Sequence, residues 1–121
     1  MVLPTDDGEL VLLHNPRCSK SRAAHALLEE RGVRFRARLY LDEPLSRSEL
    51  DELGARLGKP ATQWVRAQER AFREAGLDGE ADDDAIKDAM AEAPVLIERP
   101  ILVAGSRAVV GRPPESILSL L

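Results

Sequence analysis

The chain has 121 residues, 44% of them apolar and 31% charged, the composition expected of one globular domain with one core. Its net charge of −4 argues against a general nucleic-acid binder, which needs cations in excess along its contact surface. A single cysteine excludes an internal disulfide and any cysteine-rich zinc site.

Residues 1–8, MVLPTDDG, read as a polar leader that should fray. Glu9 to His14 is a short apolar run of strand type, and Asn15-Pro16 ends it because proline removes a backbone donor. A helix is expected from about Cys18 to Arg31, with Ala24, Leu27 and Leu28 on one face and Gly32 as its stop. Val33 to Tyr40 alternates apolar and basic residues, which predicts a strand with one wet face. These three elements make a βαβ unit with parallel strands and a right-handed crossover.

From about 46 to 92 the pattern turns helical. Ser46 and Glu49 match a capping box, and Gly58-Lys59-Pro60 ends the first helix of the block. Thr62 is a candidate cap for a second helix carrying Trp64 and Val65. Asp82-Asp83-Asp84 opens a third, with acids at the positive end of the helix dipole. Ile101 to Ala104 and Ala108 to Val110 form a hairpin across Gly105-Ser106-Arg107. Pro113-Pro114 then starts a last helix that should bury Ile117, Leu118, Leu120 and Leu121. The expected architecture is a single α/β domain over 1–121: a four-stranded mixed sheet in the order β-α-β, helical insertion, β-β-α, with flanking helices. No basic-then-apolar leader and no apolar run of spanning length is visible, so a cytoplasmic protein with no membrane partner is expected. Nothing points to an oligomer, and a monomer is expected.

The stretch HNPRCSKSR holds the only cysteine. Free cysteines are among the most buried residues, so a spectator thiol is the default for an arbitrary one. Here Cys18 follows a strand and opens a helix, where unpaired amide N–H groups and the helix dipole stabilise a thiolate. The same geometry binds anions. His14, Arg17, Lys20 and Arg22 surround it in sequence. Ser21 stands where a Cys-x-x-Cys centre carries its resolving thiol, so an adduct on Cys18 must be cleared by an outside thiol. Cys18 to Arg22 is too short for the Cys-x5-Arg loop of tyrosine phosphatases.

HNPRCSKSR, LYLDEP, ERP before ILV, and GRPPE occur in that order. As a set they resemble the glutaredoxin-coupled arsenate reductase family over about residues 10–120. The resemblance implies a thioredoxin-like fold with a helical insertion. By position it implies Cys18 as nucleophile and His14 as the group that lowers its pKa. It implies Arg66, Arg99 and Arg112 as the oxyanion binders, and Pro100 as a cis-proline facing the cysteine. It also implies arsenate or a similar oxyanion as substrate, glutathione as co-substrate, glutaredoxin as partner, and no bound metal or organic cofactor. The loop after Cys18 reads Ser19-Lys20-Ser21, where the family's best-studied members carry Gly-Thr-Ser. Two other readings keep the same fold: a thiol oxidoreductase of monothiol glutaredoxin type, which suits Cys-x-x-Ser, and a Spx-type RNA polymerase-binding regulator, which Ser21 disfavours by removing the Cys-x-x-Cys switch.

Overall fold

The computed structural model describes Leu3, Pro4, Asp6 and residues 8–121. Four short strands form one mixed sheet: β1 (Val11–Leu13), β2 (Arg36–Arg38), β3 (Ile101–Val103) and β4 (Ala108–Val110), in spatial order β2-β1-β3-β4. β1 and β2 are parallel, as the intervening helix α1 (Ser19–Glu30) requires. The other two pairings are antiparallel.

The apolar residues of β1 and β3 divide by the two-residue period of a strand. Val11, Leu13, Ile101 and Val103 face one way, into a core with Leu50, Leu53, Trp64, Ile86 and Met90. Leu12 and Leu102 face the other way, onto Ala24 and Leu28 of α1 and Ile117 of the C-terminal segment. Both faces of the sheet are therefore covered, by the helical block on one side and by α1 with the C-terminal segment on the other.

The helical block holds α2 (Arg47–Leu57), a short α3 (Arg70–Glu74) and α4 (Asp83–Glu92). α2 begins with the expected capping box: Ser46 Oγ accepts from the Glu49 amide, and the Glu49 carboxylate accepts from the Ser46 amide. Gly58 ends it at φ 67°, a left-handed conformation suited to glycine, and donates to two carbonyls of the last turn. α4 is capped by Asp82, whose side chain accepts from the Ala85 amide.

The structure departs from the sequence reading in four places. No helix carries Trp64 and Val65. Ala61–Gln63 is a single 3-10 turn, and Val65 pairs as an isolated antiparallel bridge with Ile97. Long-range packing decides this: the Trp64 side chain is fully buried and its indole N–H donates to the Lys59 carbonyl. Second, Arg38 does not lie on a wet face. It is 3% exposed beneath α2, in a two-bond ion pair with Glu49. Third, the C-terminal segment Pro114–Leu120 is a 3-10 helix that fully buries Ile117, while Leu121 is exposed. Fourth, the leader is docked where it is described: Leu3 is buried in the core and the Pro4 carbonyl accepts from Arg56 Nη1 at 2.6 Å. The rest of the segment expected to fray, Met1, Val2, Thr5 and Asp7, lies outside the described residues.

Strand register brings three loops to one end of the sheet. Leu13 lies opposite Ile101, so the loop after β1 emerges beside Arg99-Pro100, just before β3. Ile101 lies opposite Val110, so Gly111-Arg112 leaves β4 at the same level. The Gly111 amide donates to the Pro100 carbonyl at 2.8 Å. Leu13 also lies opposite Arg38, so Tyr40 joins the same end from β2.

Candidate active site

Cys18 is the N-cap residue of α1, in an extended conformation (φ −95°, ψ 125°), and its carbonyl accepts the helix's first bond, from the Arg22 amide. Its side chain is partly exposed. Burial pushes the thiol pKa up, but the amides of Ser21 and Lys20 and the guanidinium of Arg99, which also hydrogen-bonds the sulfur, overcome it, and the net shift is downward. A helix start whose N–H groups point at a sulfur is the arrangement the sequence suggested.

His14, which the resemblance implies as the group that lowers the Cys18 pKa, makes its side-chain contact with Ser21. It is buried, and its Nδ1 lies 2.7 Å from Ser21 Oγ. Ser21 Oγ also accepts from the Asn15 amide at 3.0 Å. Burial lowers the pKa of His14, and the neighbouring His25, whose ring centroid is 4.9 Å away, lowers it further. Both causes disfavour the charged imidazolium, which works against His14 as a source of positive charge for the thiolate. Its contacts fix the cysteine loop through Ser21. The exposed Arg22 is likewise turned to the loop backbone, donating to the Pro16 carbonyl.

Pro100 follows a cis peptide bond, as the resemblance implied; the Arg112-Pro113 bond is also cis, which the sequence did not announce. Gly111 makes the close approach to Pro100 feasible: a Cβ there would lie 2.8 Å from Pro100 Cγ.

The three arginines meet at this end of the sheet by unequal routes. Arg99 touches Cys18 directly. Its Nε and Nη1 are buried and meet no acceptor among the described residues. Arg112 Nε donates to the Arg99 carbonyl at 3.0 Å and also reaches Glu98 Oε1 at 3.0 Å. Arg66 pairs with Glu69 at 2.5 Å and lies 3.9 Å from the same Glu98 oxygen. Three guanidiniums thus face two carboxylates, leaving one positive charge that a Cys18 thiolate balances.

Two residues of the site were given no role by the sequence reading, although both stand inside the motifs it quoted: Tyr40 in LYLDEP and Glu98 in ERP. Tyr40 is almost wholly buried, and burial pushes its pKa up to about 12 against the opposing pull of Arg99 and Arg66. Cys18 and Glu98 act on the same hydroxyl, which places it in the field of the whole cluster. A cavity of about 320 Å³ opens on the other flank of the cysteine loop, between His14, Asn15, Pro16 and Arg17 and the exposed Leu39 and Leu41. Among the described residues no group of acidic, histidine or cysteine side chains has the form of a metal site.

The profile of the ArsC family matches residues 13–120. The chain belongs to the ArsC family. Among its relatives, a protein of Neisseria meningitidis serogroup B named arsenate reductase is 45% identical over 115 residues, covering 93% of this chain and 98% of the relative. An Escherichia coli protein of the same name is 34% identical over 115 residues, covering 94% and 82%. The solved structure of an arsenate reductase from Vibrio cholerae superposes with a TM-score of 0.88 at 43% identity, covering 93% of this chain and 98% of that one. The ArsC chain described here shares the thioredoxin-like fold of these structures. No described helix is long and apolar enough to cross a membrane.

Proposed function

We propose that this ArsC protein is an arsenate reductase in which Cys18 is the nucleophile and glutathione with glutaredoxin supplies the electrons. The observation that carries the reading is Arg99: it hydrogen-bonds the Cys18 sulfur while two of its buried donors meet no acceptor among the described residues. A buried donor without a partner is costly, and the cost is recovered when an anion arrives. A guanidinium suits the planar, bidentate recognition of a tetrahedral oxyanion. The names of the relatives agree.

The Cys18 thiolate attacks arsenic, and one arsenate oxygen leaves as water after protonation, forming a sulfur–arsenic(V) bond. A glutathione thiolate then attacks the Cys18 sulfur. The sulfur–arsenic bonding pair passes to arsenic, which departs as arsenite, and a Cys18–glutathione disulfide remains. A glutaredoxin thiol attacks the glutathione sulfur and frees the Cys18 thiolate. Two electrons move from two thiols to one arsenic, and no second protein cysteine is needed. Ser21 at the Cys-x-x-Ser position fits that scheme. Arg66 and Arg112 would complete the cradle, and Leu39 and Leu41, exposed beside the loop, offer an apolar surface for the thiol carrier. Such a cycle belongs in a reducing compartment such as the cytoplasm.

The test is a coupled assay with glutathione, glutaredoxin, glutathione reductase and NADPH. NADPH consumption should require arsenate, and Cys18→Ser should abolish it. Activity on a glutathionylated substrate without arsenate-dependent turnover would favour the monothiol glutaredoxin reading. Silence in both, with recovery of RNA polymerase from a lysate, would favour the regulator. The pH dependence of Cys18 alkylation should give an apparent pKa below the free-thiol value of about 8.5.

A further inference from the structure

Glu98 is an acid in a site built for an anion, and its placement is rigid. Its amide donates to the Trp64 carbonyl at 3.0 Å, the Arg66 amide donates to the Leu96 carbonyl at 2.7 Å, and Val65 bridges Ile97 between them. Trp64, Leu96 and Ile97 are fully buried, so this short two-segment ladder is anchored in the core. Glu98 and Arg66 therefore cannot drift apart without opening that core.

The contacts made by the carboxylate are specific. Oε1 meets Arg112 Nε at 3.0 Å and the Arg99 amide at 3.2 Å, and lies 3.9 Å from Arg66 Nε. Both guanidiniums are approached at Nε, the edge nearest the side-chain stem. Gripping Arg112 there, at 3.0 Å, fixes the plane of the group and leaves its outer edge, the pair of Nη groups, as the fork that takes two oxygens of a tetrahedral anion, whereas Arg66 already gives Nη1 to Glu69 and feels Glu98 only as a nearby charge. Arg112 is held a second time, through the same Nε, by the Arg99 carbonyl. One oxygen thus links the arginine that touches the sulfur, the arginine after β4 and the arginine of the helical block.

We propose that Glu98 is the positioning residue of the oxyanion site, holding Arg112 by its Nε edge beside Arg99 and keeping Arg66 close by its charge, so that the three act as one cradle. The proposal rests on the oxyanion reading of the site given above. It also accounts for a carboxylate being tolerated there: the acceptor geometry gained by the arginines outweighs the repulsion felt by the ligand.

Two substitutions separate the acceptor from the charge. Glu98→Gln keeps an acceptor oxygen and removes the charge, whereas Glu98→Ala removes both. Binding is read without turnover, from the protection that arsenate, and separately sulfate, gives Cys18 against iodoacetamide. Steady-state kinetics with arsenate are measured alongside. In Glu98→Ala the protecting concentration and the arsenate KM should rise about tenfold, equivalent to about 1.4 kcal/mol, with kcat within about twofold. Glu98→Gln should stay within about threefold of the parent in both. A purely structural role would instead lower the denaturation midpoint and kcat with KM unmoved. A lower KM in both variants would show Glu98 to be a repulsive residue and overturn the proposal, as would an unchanged KM in Glu98→Ala. Protection by sulfate with no arsenate turnover would overturn the substrate reading alone, and the sulfate ratios would still decide the role of Glu98. Absence of protection by either anion in the parent would overturn both.

Discussion

Arg38 has a buried guanidinium and Arg99 has two buried guanidinium nitrogens, and they are treated oppositely. Arg38 is fully served: Nε donates to the Glu43 carbonyl, Nη1 to Glu49 Oε2, and Nη2 to the Pro44 carbonyl and Glu49 Oε1. Arg99 hydrogen-bonds the cysteine sulfur and has two donors with no acceptor among the described residues. A buried charge that is fully paired belongs to the fold. A buried charge left partly unpaired beside a thiol has the form expected of a ligand site, which is the reading proposed above. A motif marks Arg99 and none marks Arg38, and the sequence gives no sign that Arg38 is buried, because its pairing depends on a carboxylate eleven residues away.

Breaking each arginine should expose the contrast. Arg38→Ala strands the Glu49 carboxylate in the core and should cost about 3–5 kcal/mol of folding stability, read from denaturant unfolding. Replacing the pair together, Arg38→Met with Glu49→Leu, should recover most of that loss. Arg99→Ala should do the reverse. Unfolding should change little, while arsenate turnover falls about 10²–10³-fold, as when one preorganised donor is removed from an anion hole. If Arg99→Ala proves as destabilising as Arg38→Ala and leaves turnover intact, the distinction fails.

Smaller effects sharpen the same contrast. Ser21→Ala deprives buried His14 Nδ1 and the Asn15 amide of their shared partner and should cost about 1–3 kcal/mol. The Arg38–Glu49 pair also has a pH signature. Burial raises the Glu49 pKa, but the hydrogen bond from Arg38, the Ser46 amide and the Arg38 charge together outweigh it, and the net shift is below the usual 4.5. Its stabilisation is therefore complete above that value and is lost as pH falls through the lowered folded-state pKa. The pKa of His14 is lowered as well, so its neutral form favours the folded state, and stability begins to fall as pH drops below 6.5. Acid unfolding of Arg38→Met/Glu49→Leu should lack the carboxylate component and keep the histidine one. Smallest of all should be Arg47→Ala. Arg47 pairs with Asp51, Asp84 and Asp88 on the solvent side of α2 and α4, where water screens the charges, and the unfolding midpoint should not move measurably.

Local chemistry made much of the fold legible. The strand before Asn15-Pro16, the helix opening at Cys18, the Ser46–Glu49 box, the Asp82 cap and the hairpin at residues 105–107 all follow from signals within a few residues. What the sequence hid depends on contacts between distant segments. The Val65–Ile97 bridge replaces an expected helix because Trp64 is drawn into the core. Arg38 looked solvated because its alternation with Ala37 and Leu39 is that of a wet strand, yet α2 covers it. At the site, the cysteine at a helix start and the cis-proline follow from motifs. The part of His14 does not, since its tie to Ser21 and its lowered pKa come from burial and from His25. Glu98 was hidden in plain view, as an acid within a motif noted for its arginine and proline.

Gly111 has a consequence for how this protein can change over generations. With Pro100 Cγ 2.8 Å and Ile117 Cγ2 3.1 Å from where a Cβ would sit, even a single methyl group has no room. Glu98 and Arg112 beside it keep some solvent exposure, and each can be exchanged singly without meeting such a wall. Gly111 offers no such exchange. The distance between the β4 exit and the cis-proline loop is inherited unchanged, and selection is left to act on which side chains hang from a frame of constant width.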